Sequence, residues 1–99
     1  MTTVIKIPKS IKLVTPIDFE GKKIIEIKLD FERLTGKDLI DAQTHMALNK
    51  VPVAGIIEFN KAYLAHVVAK ASGELYETII SLKSKDFSTV TMCAQGFLL

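Results

Sequence analysis

Ninety-nine residues, 48% of them apolar, suffice for one packed domain and leave no room for a second core or for wholesale disorder. The net charge is +2, and Arg33 is the only arginine among thirteen basic residues; with lysines and acids interleaved rather than clustered, a nucleic-acid footprint is the minority reading. Cys93 is the only cysteine, so no internal disulfide is expected. Apolar runs are broken well short of the roughly 20 residues of a membrane span, and "MTTVIKIPKSIK" lacks a signal-peptide core. The expectation is a cytoplasmic protein with no membrane contact.

Residues 1–9 carry Pro8 and little packing pattern, which predicts a flexible N-terminal arm. "SIKLVTPIDFEGKKIIEIKLDFERL" then reads as two strands of an antiparallel ribbon. In the second strand Ile25, Ile27, Leu29 and Phe31 alternate with Glu26, Lys28, Asp30 and Glu32, which puts the first set on one face. Ile11, Leu13 and Thr15 alternate in the first strand. The connection "PIDFEGKK" reads as longer than a two-residue turn, with Gly21 supplying a positive φ. Lys6, Lys9, Lys12, Lys22 and Lys23 read as a solvated strand edge. A two-stranded ribbon is marginal alone. Its apolar face must lie on helices or on another subunit.

"RLTGKDLIDAQ" opens a helix at Gly36, with Thr35 as cap and Asp38 at the position from which a capping-box carboxylate reaches back. Leu39, Ala42, Gln43 and Met46 share its apolar face, and it should fade near "LNKVP", where Lys50 suits a C-terminal end and Pro52 disfavours helix at Val51. "GIIEFNKAYLAHVVAKASG" predicts a helix over 55–72 with Gly73 as its left-handed stop. That helix is apolar around most of its circumference. In so short a chain this points to self-association, through Phe59, Tyr63 and Val67. "ELYETIISL" is a shorter helix with Leu75, Ile79 and Leu82 as apolar positions. "SKDFSTVTMCAQGFLL" starts a last helix with Ser84 as cap, Asp86 in its first turn, and Phe87, Val90, Ala94, Phe97 and Leu98 on one face. Phe97 is expected to be buried, with Phe97 and Leu98 closing the core or meeting a partner. The fold class expected is α+β: an N-terminal two-stranded antiparallel ribbon followed by three to four helices in one domain spanning 1–99.

Chemistry-bearing patterns are few. His45 and His66 lie on different helices without partners at ligand spacing. Cys93 reads as a small buried thiol. Asp38 and Asp41 have no apolar pocket placed around them, and no phosphate-cradling glycine loop or nucleophile elbow is present. No catalytic, metal or cofactor residue is assigned, and the chain reads as a non-enzyme. "LYETIISLKSKDFSTVTMCAQ" also admits a helix-turn-helix reading, a small DNA-binding or protein-binding regulator. Its second helix carries no arginine, and Asp86 at its start opposes phosphate.

"LVTPIDFEGKKIIEIKLDFERLTGKDLIDA", a strand, a "PI", a Gly turn, a second strand and a "TGKDL" helix start, resembles the opening of small phage tail assembly chaperones. "IISLKSKDFSTVTMCAQGFLL" is similar to their closing segment, a leucine before a "DF" helix start and a final "FL". The resemblance spans roughly residues 11–99. It implies a non-enzymatic protein that coats the tape measure protein and keeps it soluble until tail subunits polymerise around it. It also implies, for many such proteins, a second, longer form made by a ribosomal frameshift near the end, whose tail contacts tail-tube subunits.

Overall fold

The computed structural model describes residues 8–48 and 55–99. The chain is α+β, with a two-stranded antiparallel sheet followed by four helices. Most of the arm expected at 1–9 lies outside the described residues. So does the helix end expected around Lys50, Val51 and Pro52.

Strand β1 runs Ser10–Phe19 and β2 runs Lys22–Lys28. The connection is shorter than its sequence suggests: only Glu20 and Gly21 separate the strands, at φ 50° and 79°. Two consecutive positive φ values are what a type I′ hairpin turn demands, and its twist matches that of the strands it joins. Ile11 pairs with Ile27 and Lys12 with Glu26, but the next pair is Ile17 with Ile24. Four β1 residues, 13–16, therefore face one β2 residue, Ile25. This bulge breaks the expected alternation. Ile24 and Ile27 both point into the core while Ile25, expected inside, is 52% exposed. Thr15, expected on the inner face with Leu13, is exposed for the same reason. Leu29 and Phe31 are buried as expected, but they lie past the strand. Phe31 opens a 3-10 turn, Phe31–Arg33.

Helix α1 is Gly36–Leu48, α2 is Lys61–Ser72, α3 is Tyr76–Ile80 and α4 is Ser84–Leu98. Helix α2 starts later than expected because a 3-10 turn, Ile57–Phe59, precedes it and Asn60 caps it. The Asn60 Oδ1 accepts from the amides of Ala62 and Tyr63 at 2.9 and 3.1 Å, satisfying two of the helix's orphan donors. Gly73 ends it in the left-handed region at φ 77°.

Helix α2 is the centre of the fold. Tyr63 through Ala69 and Ala71 are all buried, packed by α1, α3, α4 and the ribbon. The chain itself covers α2 on several sides, so the apolarity of this helix does not by itself call for a second copy, and Tyr63 and Val67, expected at a self-association surface, are buried in the core. Each large side chain so buried stabilises the fold by about 1.5–3 kcal/mol. The exit of the ribbon closes the C-terminal end of α2. Arg33 donates to the carbonyl of Lys70, and the Asp30 amide donates to that of Ala71 at 3.4 Å.

Helix α4 lies across α2 through Val90, Thr91 and Ala94. Lys61 Nζ bridges the two helices, donating to Thr91 Oγ1 at 2.9 Å. Phe97 is not buried as expected. It is 40% exposed and stacks on Phe31 with ring centroids 5.2 Å apart, because the end of α4 reaches the rim of the core rather than its interior.

Candidate functional site

The C-terminal end of α1, the later half of α2 and the start of α3 enclose a cleft of about 460 Å³. Three rings meet there. The His66 imidazole stacks on the Tyr76 ring at 3.8 Å with 8° between planes, and His45 approaches it at 5.8 Å, tilted by 41°. His66 is 5% exposed and its Nε2 has no hydrogen-bond partner. Burial lowers the His66 pKa below the usual histidine range, and the charges of His45 and Lys70 add to this, while Glu77 opposes it. His66 is therefore neutral at pH 7, with one buried ring nitrogen unsatisfied. Such a group is costly unless something supplies a partner. Lys70 lies on the α2 side, and Glu74 and Glu77 on the α3 side. Leu48 and Leu75, 73% and 58% exposed, flank the opening. Among the described residues no group of three or more histidine, cysteine or acidic side chains is placed to hold a metal ion. The cleft offers aromatic and aliphatic surface, an unsatisfied imidazole and charges of both signs, a lining suited to holding another molecule's side chains.

The residues singled out from sequence do not form one surface. Tyr63 and Val67 are in the core, Phe59 is exposed on the turn before α2, Phe97 sits at the rim against Phe31, and Leu98 is half-buried. At the start of α1 the Thr35 amide donates to Asp38 Oδ2 at 2.8 Å and the Thr35 hydroxyl donates to the same oxygen at 3.2 Å. The hydrogen bond from the Thr35 amide is the main reason the Asp38 carboxyl lies below its ordinary pKa. Ser84 is the first residue of α4 and does not cap it: the N-cap is Lys83, without a side-chain hydrogen bond. Burial pushes the Cys93 thiol up, away from reactivity.

Asp86 in the first turn of α4 has a role that sequence reading missed. It is 2% exposed, and its two carboxylate oxygens accept from the amides of Val14 and Thr15 at 2.9 and 3.0 Å. The bulge frees those amides from the ladder, and the carboxylate sits where the α4 dipole favours negative charge. The His45–His66–Tyr76 cluster was missed too. The one signal was a histidine inside the apolar run "YLAHVVA". The Asn60 cap was also missed, since the helix was expected to run through it from 55, although asparagine is a preferred capping residue.

Among the described residues the segment read as helix-turn-helix does not take that geometry: helix α3 has five residues, and Asp86 in the first turn of α4 is held against β1.

No helix among the described residues is long and apolar enough to cross a membrane. No curated protein and no solved structure matches the chain. A family model described as "Phage tail assembly chaperone proteins, E, or 41 or 14" matches residues 10–99. The chain belongs to this family, and its role is that of a tail assembly chaperone.

Proposed function

We propose that this chaperone binds the phage tape measure protein in the host cytoplasm and keeps it soluble until the tail tube forms around it. The observation that carries this reading is the open cleft between α1, α2 and α3, which combines exposed Leu48 and Leu75 with a buried imidazole nitrogen, His66 Nε2, that has no hydrogen-bond partner. A long helical protein exposes amphipathic stripes, and grooves of mixed apolar and polar lining bind such stripes by their i, i+3, i+4 anchors. Binding and release, rather than bond chemistry, are what this surface suits. The longer form implied by the family resemblance would add a tail for the tail-tube protein; a slippery heptanucleotide in the last codons, with an overlapping frame beyond, is its genetic signature.

The test is co-expression. With the chaperone, the tape measure protein stays in the soluble fraction and co-purifies with it; alone, it pellets. A tape measure protein equally soluble without the chaperone, and no co-purification, would refute the reading.

A further inference from the structure

We infer that the His45–His66–Tyr76 cleft is where the partner docks, and that its occupant is a single amphipathic helix laying an apolar stripe between Leu48 and Leu75, with basic residues beside Glu74 and Glu77. This rests on the proposed tape measure binding and deepens it by naming the surface.

Three observations select this place and this occupant. The first is the unsatisfied His66 Nε2, buried in the wall of the cleft. Buried polar atoms without partners are rare in folded chains, and those at a cleft mark places where a bound group completes the hydrogen bonding. The second is size. Ten residues line the cleft, whereas a stable interface between globular proteins takes roughly 20–30 residues a side. A volume of about 460 Å³ falls within the roughly 300–1,000 Å³ of pockets that hold compact ligands. The cleft is too small to be the seam of a stable dimer and large enough for the side chains of one helix face. The third is charge. Glu74 and Glu77 stand on the α3 side and Lys70 on the α2 side. Lys22 pairs with Glu74 across 3.7 Å, but its side chain is 70% exposed, so a helix bearing lysine or arginine displaces it at little cost. A helix with bases along one flank and acid along the other matches this polarity in one orientation only, so the charges set direction while the leucines hold it.

Leu75 is exposed and precedes α3 without packing into the core, so it can be changed without unfolding the chain. The experiment measures binding of overlapping peptides tiling the tape measure protein by fluorescence anisotropy, to the wild type and to Leu75→Glu. Met92→Glu, at an exposed position on α4 away from the cleft, is the control. The wild type binds at least one peptide, Leu75→Glu weakens it tenfold or more with an unchanged melting temperature, and Met92→Glu leaves it within twofold. The His66 ring resonances shift on adding the peptide. Wild-type binding that survives Leu75→Glu, or is lost in Met92→Glu instead, overturns the cleft while the functional reading stands. No binding of any peptide by the wild type overturns both. If Leu75→Glu dissociates a wild-type oligomer and peptide binding is intact, the occupant is a second copy and the inference is wrong.

Discussion

Asp86→Ala should loosen the ribbon from the helices. The carboxylate accepts two amide hydrogen bonds from the bulge, at 2.9 and 3.0 Å, and is 2% exposed. Hydrogen bonds to a charged group contribute about 1.5–3 kcal/mol each, so the ceiling is about 3–6 kcal/mol. The Val14 and Thr15 side chains are exposed, so water reaches their amides once the carboxylate is gone, and the expected loss falls to about 2–4 kcal/mol. For a chain of this size that is a drop in melting temperature of roughly 10–30 °C. Urea unfolding gives the free energy, and hydrogen exchange at the Val14 and Thr15 amides gives the location. Asp86→Asn keeps one acceptor oxygen and turns a donor toward the other amide, so it should fall between wild type and alanine. If Asp86→Ala costs less than about 0.5 kcal/mol and the two amides exchange no faster, the carboxylate does not hold the bulge, and the bulge is set by the strands alone.

Stability should fall on acidification through His66. Above about pH 6.5 both folded and unfolded chains hold it neutral; below that the unfolded chain takes the proton first, because burial keeps the folded pKa lower. Stability is then lost as pH drops from about 6.5 until the folded ring protonates too. His66→Phe should flatten that part of a urea-midpoint series, and an unchanged acid slope would remove His66 as its cause. Tyr63→Ala should cost about 3–5 kcal/mol with a midpoint independent of protein concentration, since α2 is covered by its own chain; a concentration-dependent midpoint would return Tyr63 to a subunit interface. Phe97→Ala should cost only about 1–2 kcal/mol, against about 3–5 for a fully buried ring, because Phe97 stacks on Phe31 at the rim; a loss above 3 kcal/mol would mean that the ring is buried in solution.

Local order was written in the sequence where local physics decides it. Gly21 and Gly73 take the positive φ that marks a hairpin turn and a helix stop, and the Thr-Gly-Lys-Asp run opens a helix whose acid lies three residues from its amide donor. These depend on neighbours within four positions, so they are legible without a fold. The α+β order followed from them, and the motif order pointed to the family. What sequence alone left open depended on distance. The period-two pattern could not place Ile25, because a bulge arises from how one strand meets another and not from either strand's own alternation. The apolarity of α2 showed that it needed cover but not whose; 99 residues, wrapped with the ribbon and three helices around one axis, provided it. Asp86 read as an ordinary first-turn acid until residues 71 and 72 positions away presented two free amides to it. His45 and His66 sit on separate helices that sequence spacing cannot bring together. Packing α1 and α3 against α2 puts their rings and Tyr76 in one cleft, and leaves one nitrogen without a partner.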